Sequence, residues 1–224
     1  MLSGKALMRL FQLSSAALPI GSFAYSQGLE QAVALGDVKC RDTSSTWIAG
    51  MLQSSVLSLD VPVLARLFRA FSAGDLARAK RWNDYLFAAR GSAELRAEER
   101  QVGSALVRLL SREGVEAAVP WLSEPRVTLA TGFALASVAW AAPLAEAALS
   151  YTFAWTEAQV GAATRLIPLG QSDAQRVLST VIEHAAAGIE TALRRADDEL
   201  SSTTPGQLLL SAMHETQYSR LFRS

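Results

Sequence analysis

Apolar residues recur along the chain at intervals of three and four, the spacing of a helix with one buried face, and no stretch shows the strict alternation of a half-buried strand. From about residue 5 to 15, Leu7, Leu10, Phe11 and Ser14 keep that spacing, and the run then stops at Pro19 and Gly21. Proline fixes its own φ and pushes Leu18 out of the helical region, while Gly21 can adopt dihedrals closed to other residues. The pattern therefore predicts a corner in which Pro19 and Gly21 are structural, with helix resuming at Ser26 and ending at Gly36. Asp42 or Thr43 reads as the cap of the next helix, whose face is Ile48, Leu52, Val56 and Leu59. Asp60 and Pro62 read as the start of another, carrying Val63, Leu67, Phe68 and Phe71.

Asp75 and Ser92 mark two further starts. In the helix after Ser92 the apolar stripe runs through Leu95, Val102, Leu106 and Leu109, yet positions 98 and 99 are glutamates, so Glu99 falls on the buried-looking face. A carboxylate there calls for an arginine or the backbone of a neighbouring helix, and Glu99 is read as structural. Pro143 opens a helix to about Leu166, and Ser172 reads as the cap of the last long one. Residues 197–206, DDELSSTTPG, are linker-like, and Thr204 and Pro205 restart a final helix. Its stripe, through Leu210, Met213, His214, Gln217, Tyr218 and Leu221, extends into a tail, 214–224, expected to order on binding a partner. The fold class is all-α, a single compact bundle of about nine or ten helices over 1–224.

Composition narrows the function. Of 224 residues, 21 are Lys or Arg and 21 Asp or Glu, with the basic residues scattered, so no electrostatic footprint marks a nucleic acid or an anionic membrane as partner. Residues 127–145 carry no charge over a length that could span a bilayer, but seven are alanine and Pro143 interrupts them, which suits a helix buried in a bundle. Cys40 is alone, which fits a reducing compartment and a cytoplasmic location.

The chemistry of catalysis is sparse. His184 and His214 lie far apart, Cys40 has no ligand-spaced companion, and neither a phosphate-binding G-x-x-x-x-G-K-[ST] loop nor a G-x-S-x-G elbow occurs. No catalytic residue, metal site or cofactor is assigned. A metal-dependent helical enzyme using Glu94, Glu98, Glu99 and His184 is the alternative from another class. Residue types enriched at interface hot spots remain: Phe23 and Tyr25 at the corner, Arg165 before the IPLGQ loop, and Tyr218, Arg220, Leu221, Phe222 and Arg223 in the tail. Each has a plainer reading, since Phe23 and Tyr25 suit a core, Arg165 a solvated helix end, and the tail a fraying terminus.

Five blocks in order, QLSSAALPIGSFAYSQGLE (12–30), DVPVLARLFRA (60–70), ELRAEERQVG (94–103), RLIPLGQSDAQR (165–176) and HETQYSRLFRS (214–224), resemble the UreF family of urease accessory proteins. The resemblance implies a non-enzymatic, all-α cytoplasmic protein that forms a homodimer. It implies assembly with the accessory protein UreD (UreH in some organisms) and recruitment of the GTPase UreG. The complex it implies is a GTP-hydrolysis-dependent chaperone that inserts nickel into apo-urease. It also implies that Arg165, where the family usually has lysine, couples to the GTPase, and that the C-terminal segment docks onto the UreD protein.

Overall fold

A computed structural model describes residues 2–224 of the chain. Ten α-helices, joined by shorter 3₁₀ and π segments, are present and no strand occurs among the described residues, in agreement with the helical spacing of the sequence. They are α1 (Gly4–Ser14), α2 (Leu29–Ala34), α3 (Arg41–Met51), α4 (Val61–Ser72), α5 (Leu76–Ala88), α6 (Ala93–Arg112), α7 (Leu129–Ala139), α8 (Leu144–Leu166), α9 (Gln171–Arg194) and α10 (Pro205–His214). Asp75 and Ser92 cap α5 and α6 as expected, accepting from the amides of Arg78 and Leu95.

The start expected at Asp60 and Pro62 is absent. α3 and α4 form one helix of 32 residues through a π-helical stretch, Leu52–Asp60, in which the Val61 amide reaches back to the Val56 carbonyl. Pro62 has no N–H to offer Ser58, whose carbonyl oxygen accepts from the Ser201 amide at 3.4 Å, and the Ser54 carbonyl accepts from Thr203 at 3.1 Å. Residues 197–206 are thereby held against the π stretch, and Asp197 ion-pairs with the buried guanidinium of Arg66. By length and composition this helix could cross a bilayer, but 67% of its most apolar window is buried within the fold. Two other starts differ slightly: α3 begins at Arg41 after Cys40, and α9 at Gln171 after Gly170, without a Ser172 cap.

α4 lies centrally, packed on α5, α7 and α8, with α9 and α1 against α8. The main core includes Ile48, Leu52, Leu59, Leu64 and Leu67 from the long helix, Leu106 and Leu110 from α6, and Phe133 from α7. Gly103 permits the contact between α6 and the chain entering α7, because a Cβ there would sit 2.1 Å from the Val127 carbonyl oxygen. One turn earlier, Glu99 meets the N-terminus of α7, accepting from the Leu129 amide at 2.8 Å. A second cluster, smaller and separate, joins Leu29 and Ala32 of α2, Ala162, Ala163 and Ile167 at the end of α8, Leu210 of α10, and Phe222.

Candidate functional site

The second cluster is where the corner, the end of α8 and the C-terminal segment meet. Gly21 has φ +80°, and a 3₁₀ turn, Ser22–Ala24, follows it. Helix does not resume at Ser26, because Gln27 (φ +55°) and Gly28 (φ +88°) both take left-handed conformations and α2 begins at Leu29. Gly28 also keeps a close approach open: a Cβ there would lie 3.3 Å from the Gln207 carbonyl oxygen of α10, a tight contact. Ser26, expected to lead the helix, instead accepts from the Glu30 amide and gives its hydroxyl to Ser224, whose oxygen also accepts from the Ser26 amide at 2.7 Å.

In the structure the C-terminal segment lies against the rest of the chain through contacts that its own helical stripe does not supply. The helical stripe stops at His214, after which the amides of Thr216 and Gln217 turn back onto the carbonyls of Met213 and His214. His214 is 0% exposed and lies between two carboxylates, with Nδ1 2.9 Å from Glu94 and Nε2 3.1 Å from Glu30. Glu30 accepts two more hydrogen bonds, from the amides of Leu221 (2.7 Å) and Phe222 (2.9 Å). Arg220 reaches Glu94 at 3.2 Å, and the Arg223 amide donates to the Ala24 carbonyl at 2.8 Å.

Of the residues named from the sequence, Phe23, Tyr25, Arg165, Phe222 and Arg223 come together. The Arg165 guanidinium stacks 4.6 Å over the Phe222 ring and donates to the Phe23 carbonyl at 2.9 Å, partial burial lowering its pKa. Phe222 is buried, while Phe23 remains 60% exposed. Tyr25 is buried, and its hydroxyl donates to Gln101 Oε1 at 2.6 Å, where Arg223 donates as well; burial raises the phenol's pKa. Tyr218 and Leu221 point to solvent. Of the two aromatics that suited a core, Tyr25 is buried and Phe23 is not, while Phe222, in the stretch that suited a fraying terminus, is buried as well. Sequence reasoning missed Glu30, Glu94 as a partner of His214, and Gln101; the available signal was Glu30, charged yet bracketed by Leu29 and Ala32 on a short helix.

Behind the corner lies a cavity of about 380 Å³, lined on its apolar side by Leu95, Val102 and Phe133 and on its polar side by Gln27, Glu98 and Trp155. Gln27 bridges it, accepting from the Trp155 indole at 2.9 Å and donating to Glu98 Oε1 at 2.8 Å. Glu98 Oε2 is cut off from solvent without a hydrogen-bond partner. Burial, aided by the nearby Glu99 and Asp60 charges and opposed by Gln27 and Arg90, pushes the Glu98 carboxyl up to about 8. Arg90 has the opposite situation: its guanidinium is clamped between Asp60 and Glu99, with Nε 2.8 Å from Glu99 Oε1. Glu99 has both an arginine and a helix N-terminus as partners.

The ligand set of the alternative enzyme is dispersed. Glu94 is engaged by His214, Glu99 by Arg90, and His184 is exposed on α9 with Nδ1 2.8 Å from the Thr180 carbonyl. Among the described residues no group of three or more His, Cys, Asp or Glu side chains is disposed to hold a metal ion.

Comparison with known families places residues 38–182 in the UreF family. The chain is 43% identical over 221 residues to the urease accessory protein UreF of Alkalilimnicola ehrlichii, covering 99% of this chain and 97% of that one. It is 44% identical over 229 residues to the UreF of Alcanivorax borkumensis, covering 100% of each. The UreF of Enterobacter sp. strain 638 is 43% identical over 217 residues, 97% of both chains.

Proposed function

The chain belongs to the UreF family of urease accessory proteins, and we propose that it acts as a non-enzymatic scaffold that joins UreD (UreH) and recruits the GTPase UreG. In that complex, GTP hydrolysis by UreG drives insertion of nickel into apo-urease, and nickel is cargo. The reading includes a cytoplasmic homodimer working as one all-α unit.

The observation that carries it is the meeting of Arg165, Phe23 and the C-terminal segment at one place on the surface. Arg165 bonds the Phe23 backbone and covers Phe222, so the residue proposed to couple to the GTPase touches the segment proposed to dock onto UreD. A partner seated on exposed Tyr218 and Leu221 would press on a segment that leads, through Phe222, directly to Arg165. Exposed aromatic and leucine side chains beside arginines are the chemistry of a protein interface rather than of a reaction.

The test is co-purification from cells expressing the urease genes with a tagged form of this chain. UreD and UreG retained together, and lost on removal of the tag, are the expected result. Retention of neither, or turnover of a small substrate by the pure chain, would overturn the reading.

A further inference from the structure

The outer face of α6 carries charge that nothing in the chain neutralises. Arg96, Arg100, Ser104, Arg108 and Arg112 follow one another at intervals of four, so they form a single ridge on the side opposite the buried Glu99, Val102, Leu106 and Leu110. Arg96 is turned to the Arg90 carbonyl oxygen at 2.6 Å. Arg100, Arg108 and Arg112 are exposed, and among the described residues none of their guanidinium groups has an ion-pair or hydrogen-bond partner. Every acidic residue of α6 and of its C-terminal cap is engaged elsewhere: Glu94 by His214 and Arg220, Glu98 by Gln27, Glu99 by Arg90, and Glu113 by Arg9. Like charges one turn apart disfavour the helix that carries them, and Arg96–Arg100 and Arg108–Arg112 are both such pairs.

We propose that this ridge docks an acidic segment of a protein partner, a helix that presents carboxylates at successive turns to Arg100, Arg108 and Arg112. Ala97 and Ser104 lie among the arginines, short and uncharged, so a partner backbone can come close between the guanidinium groups. From Arg100 to Arg108 the axis rises about 12 Å and from Arg108 to Arg112 about 6 Å, two turns and one turn of a facing helix. Guanidinium groups take carboxylates in a two-pronged fork, and each charged position of the ridge is arginine. A phosphate backbone or a lipid surface calls for basic breadth, whereas this ridge is one side chain wide on a chain with 21 acidic and 21 basic residues. None of the residues assigned above to UreD or UreG lies on α6, so this surface is additional to those contacts and does not rest on them.

A benzoylphenylalanine photo-crosslinker in place of Ser104, in the full chain expressed with the urease genes, marks whatever lies on the ridge, and mass spectrometry identifies the joined segment. The expected product is a protein segment with carboxylates three or four residues apart. Arg100→Glu combined with Arg108→Glu should lower its yield about tenfold or more, and exchanging two of the segment's carboxylates for lysine should restore it. Both arginines are exposed and unpaired, so this variant should keep its helical circular dichroism and thermal midpoint. The milder pair Arg100→Gln and Arg108→Gln, which keeps good helix formers at both positions, is read beside it and should lose about threefold or more. No crosslink, a yield that survives both variants, or a joined segment without carboxylates overturns the proposal. So does a product that is nucleic acid, lipid or a second copy of this chain.

Discussion

Replacing Glu98 by Gln should make the protein more stable in alkaline solution. The carboxyl titrates at about 8 in the folded protein, against an ordinary value of 4.5. A raised acid pKa means that the folded state holds the proton more tightly than the unfolded state. The stabilisation is complete below the ordinary value and is lost as pH rises through about 8. The full separation corresponds to about 5 kcal/mol, and because the Glu98 residue as a whole is only half-buried, about 2–4 kcal/mol is the expected loss. Glutamine keeps the shape and can still accept from Gln27 while carrying no charge. Urea unfolding at about pH 4 and about pH 9 measures the difference, since comparing the variant with the parent cancels every other titrating group. The two proteins should be of similar stability at the lower pH, and the variant about 2–4 kcal/mol the more stable at the higher. Parallel stability curves would refute the reasoning and show that Glu98 is ionised in the folded state at neutral pH.

Three further outcomes follow from named contacts. Glu99→Ala leaves the Arg90 guanidinium with Asp60 alone and the Leu129 amide without its acceptor, and should cost about 2–4 kcal/mol in urea unfolding. Arg165→Ala should leave stability within about 1 kcal/mol yet lower the nickel content and activity of urease matured in cells; normal urease would remove Arg165 from the coupling role. Deleting Ser219–Ser224 removes the buried Phe222 ring and the two amides on Glu30, so thermal unfolding should fall by about 5–15 °C as UreD association is lost, whereas a merely fraying end would leave the midpoint unchanged.

Local rules explain which parts of this fold could be read in advance. The helical period, Asp75 and Ser92 as caps, and the break at Pro19 and Gly21 depend on residues within a few positions of one another, and they appear where expected. Pro62 misleads for the same reason. A proline after an aspartate is a good helix start by local chemistry, but here Ser201 bonds the Ser58 carbonyl and Arg90 holds Asp60, so the helix continues. Glu99 was legible as a position that needed a partner. Its partner, Arg90, was not, because nothing in spacing says which arginine crosses to it.

The C-terminal segment is the strongest case of a non-local partner deciding the outcome. Judged by the contacts its own helix could supply, a short stretch after His214 cannot stay in place, and that reasoning is sound for a chain that ends beside its own helix. What holds it is a carboxylate from α2, a long way back in sequence, close to where α10 passes over Gly28. At the same place Arg165, from the end of α8, lies over Phe222. In the structure the segment is held from beneath by Glu30 and Ser26, with Tyr218 and Leu221 left outward. Under the proposed scaffold role the exposed half would meet the partner, and the buried half, through Phe222, would carry the consequence to Arg165.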